Sequence, residues 1–174
     1  DDGGTMKIAS WGKLKNKLDG LLEYLTTLPG IVICNVHSKI QTMDIGGNKI
    51  LPYIDGSTKE DISKWFDFVL YATTINRPDG SNKYVWHTRH TSLYDHAKDR
   101  TQLLDNVIDQ DYKIILNAAK ERGYDGAKIL IIGSPGTGKT FALKTLTTTT
   151  VETKTTKAPV NVKANGVSTS TQTV

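Results

Sequence analysis

The sequence predicts an α/β fold, a mostly parallel β-sheet flanked by helices. Three observations carry this. Short, mostly apolar runs stand at Ile31 to Val36, Phe66 to Ala72 and Lys128 to Ile132. Other stretches repeat apolar residues at three- and four-residue steps, the period of a helix. A glycine-rich run then joins the last apolar segment to a helical one, the order strand, loop, helix.

The elements follow in chain order. Trp11, Leu14, Leu18, Leu21, Leu22, Leu25 and Leu28 form a helix with one buried stripe, which Pro29-Gly30 stops. Ile31 to Val36 is β-branched and unbroken, so it reads as a central parallel strand covered on both faces. Gln41 to Tyr53 holds Gly46-Gly47-Asn48 between apolar pieces, a hairpin-like excursion. Ser57-Thr58-Lys59-Glu60 has capping-box spacing and starts a short helix through Trp65, before the strand from Phe66 to Ala72. Arg77-Pro78-Asp79-Gly80 is a turn, and Lys83 to His87 returns antiparallel. Thr101 to Arg122 has helical spacing with an interruption around Asp109-Gln110-Asp111, and Gly123 ends it. Lys128 to Ile132 is a strand and Lys139 to Leu146 a helix. From Thr147 to Val174 the chain turns Thr-, Val- and Lys-rich with few large apolar residues. That stretch is expected to be a disordered tail, or to add an edge strand at Pro159 to Ala164.

With 174 residues the chain suffices for one domain, residues 1–146, plus the tail at 147–174. The formal charge of +4, from 22 basic and 18 acidic residues, permits weak attraction to nucleic acid without requiring it. Cys34 lies in an apolar run and reads as a core thiol. No stretch reaches the ~18 consecutive apolar residues of a membrane span, and Asp1-Asp2-Gly3-Gly4 lacks the features of a signal peptide, so a soluble, intracellular protein with no membrane partner is expected. His87, His90 and His96 match no common zinc spacing and read as ordinary polar residues.

The chemistry concentrates at Gly133-Ser134-Pro135-Gly136-Thr137-Gly138-Lys139-Thr140, a phosphate-binding P-loop pattern. A polyphosphate needs many donors in a small volume, and glycines let backbone N–H groups approach it without a Cβ in the way. Lys139 is expected to reach the β- and γ-phosphates of a nucleoside triphosphate, and the Thr140 hydroxyl to be a ligand of Mg²⁺. Hydrolysis further asks for an acidic residue beside the metal and a positive charge for the transition state. After Lys139 the sole acidic residue is Glu152, and the other candidates are Asp1 and Asp2.

Asn35-Val36-His37-Ser38, Lys64-Trp65-Phe66-Asp67-Phe68-Val69-Leu70 and Ala97-Lys98-Asp99-Arg100, taken with the P-loop, resemble the phage-encoded RecA-like P-loop ATPases related to phage single-strand annealing and recombination proteins. The resemblance covers roughly residues 1–146, with the segment order reversed, because in that family the P-loop comes first. It implies an ATP- and Mg²⁺-binding domain of the bacterial host cytoplasm, permuted or from a rearranged reading frame, acting in phage DNA recombination or replication. Single-stranded DNA and further copies of the chain would be its partners. It also implies that Asp1 and Asp2 are the remnant of the acidic metal-binding motif, His37 a polar sensor of the γ-phosphate, and Lys98 and Arg100 fingers on a neighbouring subunit's nucleotide. Read from the residues alone, Asp1 and Asp2 are a solvated terminus, since no apolar strand precedes them, and Lys98 and Arg100 a solvated charge cluster, while His37 is as well read as a strand-end histidine bonded to backbone. A nucleotide-binding module without turnover and a small-molecule P-loop kinase stay open beside the ATPase. The family fold further predicts that Lys128 to Ile132 lies between Ile31 to Val36 and Phe66 to Ala72, all parallel, which would bring His37 near Lys139.

Overall fold

The structure, a computed structural model, describes residues 8–44, 46–54 and 56–146. Asp1, Asp2, Glu152 and the whole Thr-rich tail lie outside the described residues. Helix α1 spans Ile8–Thr27, and strand β1, Ile31–Thr42, turns through Met43 to Gly47 into β2, Asn48–Pro52. Helix α2, Thr58–Asp61, runs into a 3₁₀ turn at Ile62–Trp65. Strands β3, Phe68–Asn76, and β4, Asn82–His87, form a hairpin, followed by β5, Lys98–Asp99, and β6, Val107–Asp109. Helix α3, Tyr112–Glu121, leads to β7, Ala127–Gly133, and the described chain ends after a 3₁₀ turn at Phe141–Leu143 and one further helical turn.

The sheet order is β2-β1-β7-β3-β4-β6, with β5 paired to the start of β3. The last strand of the chain therefore lies at the centre of the sheet. Strand β7 pairs in parallel with β1, from Ile31↔Ala127 to His37↔Gly133, and with β3, from Phe68↔Ile129 to Tyr71↔Ile132. This is the strand placement expected above. The parallel arrangement holds at these three strands, and the outer pairings, β1 with β2, β3 with β4 and β5, and β4 with β6, are antiparallel.

Side chains alternate across this centre and build two cores. Ile129 and Ile131 of β7, with Phe68, Leu70 and Ala72 of β3, face Tyr112, Ile115, Ala118 and Ala119 of α3. Leu130 and Ile132, with Val69 and Tyr71, face Leu22 of α1 and Ile62 and Phe66 of the α2 turn. Helices on both faces explain why β7 is apolar without a break from Ile129 to Ile132.

Several expectations change. Strand β1 continues past Val36 to Thr42, because Ser38–Thr42 pairs antiparallel with β2, so His37 sits within a strand rather than at its end. Its residues are half-buried or exposed, not covered on both faces; among the described residues no strand pairs with the outer edge of Ile31 to Val36. On α1 the apolar stripe is buried fully only at Leu22, while Trp11, Leu14 and Leu21 remain exposed. Ser57 occupies the N-cap position of α2 but makes no side-chain capping bond; Thr58 beside it is buried and donates to Asp19 at 3.2 Å. The helix expected over Thr101 to Arg122 is confined to α3, since Val107–Asp109 pairs with β4 and the Asp111 carboxylate caps the helix by accepting from the Lys113 N–H at 2.9 Å. Gly123, at φ +77°, does end that helix. The helix expected from Lys139 starts as a turn and takes helical form only from Phe141.

Candidate functional site

The glycine-rich loop leaves the carboxyl end of β7 at the centre of the sheet, the position where open α/β sheets bind ligands. Gly133 is required there by space. A Cβ on it would stand 2.8 Å from the Ala72 carbonyl oxygen of β3 and 2.7 Å from Thr137 Oγ1. Gly136 and Gly138 are required by conformation, with φ of +79° and +82°, a region that side chains disfavour. Thr137 closes the turn: its hydroxyl donates to the Ser134 carbonyl at 2.8 Å.

This winding leaves backbone donors without a partner. Among the described residues, the backbone N–H groups of Gly136, Gly138, Lys139 and Thr140 have no intramolecular acceptor. Successive N–H groups in alternating right- and left-handed conformations form an anion-binding concavity. The Lys139 ammonium lies inside the same loop, 9% exposed, donating to the carbonyls of Gly133 at 2.7 Å and Ser134 at 2.8 Å. Burial holds its pKa below the usual lysine value. A buried ammonium with only neutral acceptors is a site for a negative charge.

A cleft of about 570 Å³ opens over the loop, lined by Pro135, Gly136, Gly138, Lys139 and Thr140 together with His37, Tyr84 and Phe141. His37 and Lys139, distant in sequence, thus share one wall-to-wall space because β1 and β7 pair at His37↔Gly133. Next to His37, the Ser38 and Ser134 hydroxyls are 2.9 Å apart and tie β1 to the loop. Phe141 is 66% exposed and offers its ring to the cleft.

Lys98 and Arg100 are not brought to this cleft. They lie at the opposite end of the sheet, where β5 pairs with the start of β3. Lys98 Nζ donates to the carbonyls of Phe66 at 2.8 Å and Ser63 at 3.2 Å, and burial lowers its pKa. Arg100 is paired with Asp67 at 2.8 Å and sits over the Tyr124 ring. Of the histidines, His87 Nε2 lies 2.9 Å from Thr73 Oγ1 and its ring stacks on Tyr94, while His90 Nδ1 lies 2.8 Å from the Asp95 carbonyl. Cys34 is half-buried, which raises its thiol pKa, in keeping with a packing role.

Two cleft residues and one that holds the loop from outside the cleft were not foreseen from the sequence. Tyr84 packs its ring on Gly138, Phe141 lines the opening, and Gln110 donates from Nε2 to the carbonyls of Thr137 at 2.8 Å and Val85 at 3.1 Å. Gln110 and Tyr84 reach the loop only because β4 and β6 pair beyond β3, and no local pattern marks them.

Compared with known families, the chain matches the AAA domain over residues 1–101. That match ends before the glycine-rich loop and includes α1, β1 to β4 and β5. No curated protein and no solved structure matched the chain. No described helix is long and apolar enough to cross a membrane.

Proposed function

Since the chain belongs to the AAA domain family, a match that points to nucleotide binding, we propose that it binds ATP with the triphosphate in the loop Gly133 to Thr140. The observation that carries this is that Gly136, Gly138, Lys139 and Thr140, whose N–H groups have no acceptor among the described residues, line one cleft together with the buried Lys139 side chain. Ser134, Pro135 and Thr137 shape the loop, and Lys139 shifts from its own carbonyls to the β- and γ-phosphates.

Mg²⁺ fits this donor set as an ion held chiefly by phosphate oxygens and water, with the Thr140 hydroxyl as a protein ligand. When bound it would offset charge on the phosphates. Asp1 or Asp2 would complete its shell under the family resemblance, with His37 sensing the γ-phosphate from β1. The position of β7 between β1 and β3, late in sequence and central in space, supports a permuted RecA-like order. Hydrolysis driving phage DNA recombination or replication in a bacterial host cytoplasm is the role the resemblance suggests. The net positive charge is compatible with single-stranded DNA, and Arg100 would act as a finger only between copies of the chain.

A second reading, a nucleotide-binding module without turnover, is favoured by the cleft lining, which contains no carboxylate among the described residues. Equilibrium titration with a fluorescent ATP analogue and Mg²⁺ tests the shared claim. The parent chain should bind and Lys139→Ala should not; equal binding by both removes the phosphate site. Phosphate release with and without single-stranded DNA separates the two readings, since turnover supports the ATPase and its absence the module.

A further inference from the structure

Gln110 stands in the link between β6 and α3, does not line the cleft, and reaches with its carboxamide from β4 to the glycine-rich loop. Its Nε2 donates at once to the Thr137 carbonyl, 2.8 Å away, and to the Val85 carbonyl of β4, 3.1 Å away. Both donor hydrogens of the amide are thereby used. Its Oε1 is buried without a hydrogen-bond partner and faces Gly138: a Cβ there would lie 2.7 Å from it and 3.0 Å from Tyr84 Cδ1.

The Thr137 carbonyl and the Gly138 N–H belong to one peptide plane, and in a trans peptide they point in opposite directions. A bond that fixes the carbonyl on the sheet side therefore fixes the N–H on the cleft side. Gly138, at φ +82°, has no Cβ to restrict this plane, so its orientation depends on what holds the carbonyl. We infer that Gln110 is a positioning residue for anion binding: by fastening the Thr137 carbonyl to β4 it aims the Gly138 N–H at the bound phosphate chain. This rests on the phosphate-site reading above. The ligand itself never touches Gln110.

Gln110→Met keeps the length of the side chain and removes both donors. Titration with inorganic tripolyphosphate and Mg²⁺, followed through the Gly138 amide resonance in ¹⁵N-labelled protein, should show affinity about tenfold weaker than the parent's, the size of one lost hydrogen bond. The Gly138 resonance should move less at saturation, a change that a purely structural role would not produce. Equal affinity with an unchanged Gly138 shift overturns the assignment of Gln110 alone. Failure of the parent chain to bind tripolyphosphate overturns the phosphate site and this inference with it. Where Gln110→Met does not fold, the parent chain supplies the test: the Gln110 side-chain amide protons should exchange slowly and shift on addition of tripolyphosphate. Exchange as fast as that of an exposed glutamine overturns the inference.

Discussion

Replacing Gly133 by alanine tests how tightly the loop is fitted to the sheet. The new methyl would stand 2.8 Å from the Ala72 carbonyl oxygen, 3.0 Å from the Ala72 Cβ and 2.7 Å from Thr137 Oγ1. Thr137 can rotate, but the Ala72 carbonyl belongs to β3, whose pairing with β4 and β7 on either side holds it in place. Gly133 itself is outside the left-handed region, so alanine meets no conformational penalty there and the cost is purely steric. Overpacking of this kind costs about 1–3 kcal/mol. For a domain of this size about 2 kcal/mol corresponds to a fall in Tm of roughly 4–8 °C. Gly136→Ala is the matched control, because nothing lies within 4 Å of its Cβ and only φ, at +79°, is at issue. Its cost, about 1–2 kcal/mol, should be relieved in Gly136→Asn, since asparagine tolerates the left-handed region. Gly133→Asn should gain no such relief. Thermal unfolding followed by far-UV circular dichroism reads both series, and tripolyphosphate titration reads the loop. A Gly133→Ala protein that melts with the parent and binds as well would refute the close approach of β7 and β3 at the loop.

Further consequences follow from the buried and half-buried polar groups. Because burial lowers the Lys139 pKa and an anion needs the ammonium, triphosphate affinity should fall as pH rises through that lowered value, before the ordinary 10.5; Lys139→Arg should flatten the profile in an isothermal titration series. Asp99, 8% exposed, accepts from the Thr101 N–H at 2.8 Å, the Thr101 hydroxyl at 2.5 Å and the Leu104 N–H at 2.9 Å, so Asp99→Ala should cost about 3 kcal/mol in urea unfolding by stranding these donors. Burial likewise lowers the His87 pKa. The unfolded chain then takes up the proton first, and stability should fall as pH drops from 6.5 toward the folded value, a slope that His87→Gln should reduce in pH-dependent melting.

The contrast between what was and was not readable lies in the range of the interactions. Helix α1 up to Pro29, the β3–β4 hairpin at Arg77 to Ser81 and the Gly123 stop depend on neighbours within a few residues, and spacing or turn chemistry revealed them. Val107–Asp109 failed because its helical spacing is overruled by pairing with β4, a partner some twenty residues back along the chain. Exposure of Trp11, Leu14 and Leu21 failed for a similar reason: a stripe states which face of a helix is apolar, not how far the sheet beneath it extends.

The site divides the same way. The loop's glycines, the lysine and the threonine that follows were legible in the linear pattern, because the shape of such a loop is set by backbone conformation and adjacent side chains over a few consecutive residues. The sequence also supported, through the resemblance, the placing of the last strand between two earlier ones. That Tyr84 and Gln110 pack against the loop, that Lys98 and Arg100 stand at the far end of the sheet, and that Lys139 is curled onto its own loop carbonyls became visible in three dimensions alone. These depend on strand order and register, which bring together residues that no local spacing relates.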